Sequence, residues 1–216
     1  MTGQTGAVTA RQDQAAATRE RILDAAIDVL VEEGYVGAST LRIQQRVGLS
    51  RGGLLHQFGS RDELLVAAVN HLATARVAAL RSRRRWPTTP ARRIDAAVKA
   101  MWVQYRQPFF WASVELWLAA RHSPVIAEEL APRERELGQL VRESADSFFG
   151  DELAGLPSYP ALIDLLITSM RGVGLTYAWT PGRNADRDPH LSLWTALARH
   201  HLLDEAFHSG GGRTTP

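Results

Sequence analysis

From residue 18 to residue 80 the apolar positions recur every three or four residues, the spacing of helices that each bury one face. Ile22, Leu23, Ala26, Ile27, Leu30 and Val31 form a stripe that stops at Gly34. Ile43 and Val47 share a face of a second, shorter helix, and Leu54 and Phe58 share a face of a third. A fourth starts after Ser60 and carries Leu64, Leu65, Ala68, Val69, Leu72, Ala75 and Ala79. Between the second and third stands Gly48-Leu49-Ser50: a glycine able to take the left-handed backbone that ends a helix, then a serine able to cap the next. Ser60-Arg61-Asp62-Glu63 has the serine and glutamate spacing of a capping box. Helices of this kind can bury one small core, with Phe58 and Tyr35 as its larger plugs. Arg81, Arg83, Arg84 and Arg85 suit the negative end of the fourth helix, and Trp86-Pro87-Thr88-Thr89-Pro90 breaks the chain.

Beyond residue 90 the pattern stays helical. The expected spans are 91–106, 108–121, 124–149, 159–179 and 189–208, divided at Pro108, Pro124, Gly150–Pro157 and Pro181–Pro189. No alternating strand pattern and no repeat occurs. The chain is therefore expected to be all-α, with one helical module over 18–80 and a second helical region over 91–208. Residues 1–17, rich in Gly, Thr, Gln and Ala, and residues 209–216 are expected to be flexible tails.

Composition narrows the function classes. The 216 residues are 45% hydrophobic, enough to build a real core. There is no cysteine, which excludes a disulfide framework and a thiolate metal site and fits a reducing compartment. No apolar run approaches a membrane span, and the N-terminus lacks a secretory signal core, so the cytoplasm is the expected location. The net charge is +2 but uneven: residues 1–85 carry 12 arginines against 8 acids, and the remainder 13 basic against 15 acidic side chains. A basic first part suits a polyanion. The inference is modest, because Lys99 is the sole lysine and the arginine bias also fits a GC-rich coding genome. Nucleophile-elbow, P-loop and zinc-protease motifs are absent, and the adjacent His200 and His201 project apart on a helix. Neither an enzyme, a metal site nor a cofactor is expected.

The stretch from Gly34-Tyr35 through Ser39, Ile43, Gly48-Leu49-Ser50, Gly52, Leu54, Phe58, Ser60 and Leu64 resembles the helix-turn-helix region of the tetracycline-repressor-type (TetR) family. The resemblance implies a three-helix DNA-binding domain, with its motif at about 39–58, joined to a C-terminal helical domain for effector binding and dimerisation, about nine helices in all. It also implies a homodimer that binds a pseudo-palindromic operator on double-stranded DNA and is released by a small-molecule effector. The second helix of the motif then enters the major groove. Arg51 is the candidate for reading a guanine through two hydrogen bonds, with a phosphate contact or a solvated arginine as the alternative. Gly52 and Gly53 each cost a helix roughly 1 kcal/mol against alanine. Close approach of bare backbone to DNA accounts for them; a weak helix start is the alternative. Ser39, Thr40, Ser50, His56, Gln57 and Arg61 are placed for phosphate contacts, and Gln44 either reaches the DNA backbone or lies on a solvated face. The family's tyrosine falls at Leu55, its histidine at Gln57, its lysine at Arg61 and its alanine at Gln44. A helical protein- or ligand-binding module without sequence-specific DNA reading is the second hypothesis, and Leu55 favours it slightly.

The second half resembles the family in architecture alone. Leu165, Ser169, Gly172, Val173 and Thr176 on the penultimate helix, with Leu193, Leu197 and His201 on the last, are the candidates for a two-fold interface; intrachain packing of the same helices is the alternative. Trp102, Tyr105, Trp117 and Met170 are the candidates for an effector cavity, within a stretch also rich in Phe109, Phe110 and Trp111. Ordinary core is the alternative for each. Glu115 and His122 orient a polar ligand group or pair with neighbours.

Overall fold

A computed structural model describes the backbone of residues 3–82, 85–180 and 182–210, and the side chains of these except at 3–11, 51, 55, 76–82 and 209–210. Among the described residues there are ten α-helices, one 3-10 turn and no strand. They are α1 (Gly3–Gly37), α2 (Thr40–Val47), α3 (Arg51–Phe58), α4 (Arg61–Ser82), α5 (Pro90–Gln104), α6 (Pro108–Ala120), α7 (Pro124–Phe149), α8 (Asp151–Ala154), α9 (Tyr159–Thr176) and α10 (Pro189–Gly210), with the 3-10 turn at Ala185–Arg187. The fold is all-α as expected. The added element is α8, one turn of helix inside the expected break at 150–157. Residues 3–17, expected as a flexible tail, continue α1 backwards, and residues 12–17 are exposed. The end of the tail at 211–216 lies outside the described residues.

The helix ends follow local chemistry. Gly34 leaves helical geometry at φ 69°, ψ 178°, so the stripe of α1 stops there in a kink. Gly48 closes α2 in the left-handed conformation (φ 76°, ψ 31°), its N–H donating to Gln44 O at 2.8 Å. Gly59 (φ 67°) precedes α4, where Ser60 Oγ accepts from the Glu63 amide at 3.1 Å. The Glu63 carboxylate accepts the Ser60 hydroxyl at 3.1 Å, rather than its amide.

The chain divides into two compact units, Met1–Arg76 with Pro108–Leu137, and Val77–Gln107 with Gly138–Pro216. This differs from the division near residues 80–91 expected from the sequence. Ala112 and Leu116 of α6 and Ile126 and Leu130 of α7 are buried in the same core as Ile22, Leu30, Ile43, Leu54 and Leu64. A stripe of apolar positions records that a face is covered, not by what, so the membership of α6 was not legible.

The core of the second unit joins α5, the end of α7, α8, α9 and α10 through Ile94, Val98, Trp102, Phe149, Leu166, Met170, Trp194 and Leu202. Several polar groups at its edge are partnered. Arg93 donates to the carbonyls of Ser147 (3.0 Å) and Phe148 (2.9 Å), closing α7. Asp188, its side chain fully buried, accepts from the His190 amide at the start of α10, receives the Tyr177 hydroxyl, and pairs with Arg183 at 2.9 Å. Burial alone would raise the Asp188 pKa, but these donors outweigh it and hold the carboxyl below its ordinary value. Burial, with the Asp188 hydrogen bond, pushes Tyr177 up to about 12.

Candidate nucleic-acid interface

The motif is assembled by short caps and a small apolar contact. Ser39 caps α2, its Oγ accepting from the Arg42 amide at 3.3 Å. Ser50 caps α3 in the same way, accepting from the Gly53 amide at 3.2 Å. Each hydroxyl still has its own proton to donate to an external oxygen. Ile43 and Val47 of α2 and Leu54 and Phe58 of α3 turn inward into one core. That leaves Ser50, Gly52, Gly53 and His56 exposed on and just before α3, with Ser39, Thr40, Gln44 and Gln57 half-buried. The side chain of Arg51 lies outside the described residues; its backbone is the first residue of α3.

The two glycines are not required by the chain itself. Both sit in helical backbone with negative φ. A Cβ on Gly52 would meet nothing within 4 Å, and one on Gly53 would meet only Ser50 Oγ, at 3.4 Å. Neither strain nor crowding inside the protein explains two glycines in the first turn of an eight-residue helix.

The arginines nearby have structural duties. Arg61, expected on DNA phosphates, instead faces inward. Its Nε donates to Ala38 O at 2.7 Å and a terminal nitrogen to Tyr35 O. The guanidinium stands 4.2 Å over the Tyr35 ring and pairs with Asp62 at 3.5 Å. It thus ties the start of α4 to the segment between α1 and α2. Arg61→Ala is expected to lose about 2 kcal/mol in urea denaturation, the scale of a hydrogen bond from a charged group. Arg61→Lys should recover less than half, because an ammonium lacks the planar fork that reaches two carbonyls. Native-like stability of the alanine variant would remove this role.

Other basic groups that spacing did not reveal also organise the module. Arg42 pairs with Glu33 at 3.3 Å, and Arg46 with Glu32 and with Asp28 at 3.7 Å, clamping α2 to α1. The Arg46 hydrogen bond holds Glu32 below its ordinary pKa. Arg21 donates to Val47 O at 3.1 Å. Arg19 donates to Gln57 O at 3.2 Å and covers the Phe58 ring at 4.1 Å, which puts an exposed guanidinium beside the end of α3. These partners are 9 to 39 residues apart in sequence, and no local signal marks them.

The candidates in the second half divide. Leu165, Gly172, Leu193 and His201 are exposed, whereas Val173, Thr176 and Leu197 are half-buried. Ser169 is turned inward, accepting from Trp194 Nε1 at 2.9 Å. A Cβ on Gly172 would meet nothing within 4 Å. Trp102 and Met170 are buried, and Trp102 Nε1 donates to Ala185 O at 2.8 Å. The Trp102 ring lies 5.0 Å from Trp194 and 6.3 Å from Tyr105, whose hydroxyl donates to Ile167 O. Burial pushes Tyr105 up to about 12. Trp117 belongs to the first unit and packs against its core. Glu115, also in the first unit, accepts the Tyr35 amide at 2.8 Å.

Residues 22–68 match the family model described as bacterial regulatory proteins, tetR family. The HTH-type transcriptional repressor Rv1474c of Mycobacterium tuberculosis is 40% identical over 72 residues, 33% of this chain and 38% of that protein. The repressor AcnR of Corynebacterium glutamicum is 28% identical over 134 residues, 60% of this chain and 65% of that protein. The chain thus matches 38% of the length of one of these curated relatives and 65% of the other. The fold extends further than the sequence match. A transcriptional regulator from Rhodococcus sp. Rha1 superposes with a TM-score of 0.65 at 24% identity, covering 92% of this chain and 99% of that one. The multidrug binding protein EbrR, solved with proflavin, superposes with a TM-score of 0.51 at 21% identity, covering 85% and 98%. With its capped helix pair inside the matched segment, the chain carries at residues 22–68 the segment that matches the tetR family of bacterial regulatory proteins, on a fold that these solved structures share over most of its length.

Proposed function

We propose that this protein is a transcriptional repressor that binds a pseudo-palindromic operator as a homodimer and releases it when a small molecule occupies the second unit. The observation that carries the reading is the exposed Gly52-Gly53 backbone at the start of α3, which nothing in the chain itself requires. Bare backbone there lets the helix N-terminus approach a phosphate or a base edge closely, where its free amides favour an anion. Ser39 and Ser50 keep hydroxyl protons for phosphates at the starts of α2 and α3. Arg51 reads a base, and Thr40, His56 and Gln57 position the helix. Arg61 acts within the protein and is left out of the contact set.

The dimer reading is supported by an apolar strip on α9 and α10 that the protomer leaves open, with Leu165 53% and Leu193 63% exposed. Gly172 adds room for a close helix. A two-fold pairing of these helices sets the two reading helices roughly 34–36 Å apart, one DNA turn. The effector reading is supported by EbrR, solved with proflavin and with ethidium. An effector can act only through its different affinity for the DNA-competent and DNA-incompetent states. Trp102 and Met170 are buried in the core of the second unit and Tyr105 packs against it beside Trp102, so a ligand there would have to displace packed rings. The protein acts without turnover, in the cytoplasm where DNA is met. No helix among the described residues is long and apolar enough to cross a membrane.

Selection of genomic DNA fragments by the purified protein at near-physiological salt tests the reading, with Arg51→Ala alongside. Enrichment of a pseudo-palindrome is expected from the native protein. The variant should lose about ten- to a hundredfold in preference at one position of each half-site, the scale of a bidentate guanine contact. No enriched sequence from the native protein would leave a helical binding module as the better description.

A further inference from the structure

The Tyr35 amide follows Gly34, the residue at which α1 leaves helical geometry. That turn takes the Tyr35 N–H off the carbonyl ladder of α1. Its acceptor is instead Oε2 of Glu115 on α6, 2.8 Å away and 80 residues distant in sequence. The carboxylate also lies against Gly34 itself, where a Cβ would stand 3.3 Å from Oε2. From Tyr35 the contacts run on in two directions. The hydroxyl donates to Asp62 at 2.9 Å, and the ring lies under the Arg61 guanidinium. Arg61 in turn holds the carbonyls of Tyr35 and Ala38, and Ala38 immediately precedes Ser39, the cap of α2. A single carboxylate on α6 therefore sits at the head of the chain of contacts that places the start of α2.

Ala112 and Leu116 of α6 are buried in this core, with Trp117 packed against it. Apolar contact is non-directional and tolerates small sliding. A hydrogen bond weakens steeply with angle, and one to a carboxylate is about twice as strong as a neutral one. Among these contacts, the Glu115 bond is the one that distinguishes one position of α6 from another. We propose that Glu115 is the positioning residue through which α6 holds the Gly34 turn, and with it the start of α2, in the geometry that binds DNA. This rests on the regulator reading above.

The test compares the native full chain with Glu115→Gln, Glu115→Asp and Glu115→Ala. The probe is the fragment most enriched by the native protein, and binding is followed by fluorescence anisotropy well below the melting temperature. Amide hydrogen exchange over residues 34–40 is read in parallel. Glu115→Ala should bind about tenfold more weakly or worse and exchange faster at Tyr35, the loss of one charge-assisted hydrogen bond. Glu115→Gln keeps an acceptor at the same reach and should recover to within about threefold of native, whereas Glu115→Asp is too short and should resemble alanine. A merely stabilising residue would lower the melting temperature without this rescue pattern in affinity. Native affinity in Glu115→Ala, or unchanged exchange at Tyr35, overturns the proposal alone. Should the alanine variant fail to fold, the glutamine and aspartate pair decides, and equal affinity of the two overturns it. A native protein that enriches no DNA overturns the regulator reading and this role with it.

Discussion

Replacing Gly52 with leucine should leave the protein at least as stable as before and reduce its affinity for the selected DNA by about a hundredfold or more. Stability should hold or rise because the backbone at Gly52 is helical and a Cβ there meets nothing within 4 Å. Relief of glycine's conformational freedom is worth about 0.5–1 kcal/mol in a helix, and leucine is nearly as good a helix former as alanine. Affinity should fall because a four-carbon side chain would stand between the first turn of α3 and the DNA surface. The two effects have opposite signs, so urea denaturation and anisotropy on one variant separate a folding defect from a recognition defect. Gly48→Ala is the counterpart: its φ of 76° should cost roughly 1–2 kcal/mol of stability. Native affinity in Gly52→Leu would mean that α3 does not meet DNA through its N-terminal turn.

If the protein pairs through α9 and α10 as proposed, Leu193→Glu should yield monomers and lower operator affinity by about a hundredfold, the advantage that linking two half-site contacts supplies. Leu193 is 63% exposed in the protomer, so glutamate there remains solvated and the monomer stays folded. In a two-fold interface the same change buries two unpaired carboxylates, at a cost of several kcal/mol. Sedimentation velocity reads the oligomeric state directly. Ser169→Leu is the informative contrast, since it removes the acceptor of Trp194 Nε1 and should lower stability rather than dimer affinity. A Leu193→Glu protein that sediments as a native dimer would place the interface elsewhere.

The sequence by itself determined what is local. The apolar stripes located α1 to α7, α9 and α10 to within a few residues, apart from the backward extension of α1, because the helical period is written in side chains three and four apart. The caps at Ser50 and Ser60 and the left-handed stop at Gly48 depend on groups within four residues, so serine and glycine in those places were sufficient signals. The family pattern is legible for the same reason: the motif is one continuous stretch.

Only the tertiary structure decided which faces meet. It assigned α6 and the first half of α7 to the first unit, turned Arg61 from the expected DNA surface to the carbonyls of Ala38 and Tyr35, and set Glu115 against the Tyr35 amide. It also turned Ser169 toward Trp194 and packed Trp102 against Trp194 and Tyr105. A hydrophobic period specifies that a face is covered but is the same for every partner that covers it. A charged side chain likewise carries no record of whether its counterpart will be a phosphate, a carboxylate or a carbonyl. Those choices fall to contacts tens of residues apart, and they appear only when the helices are packed.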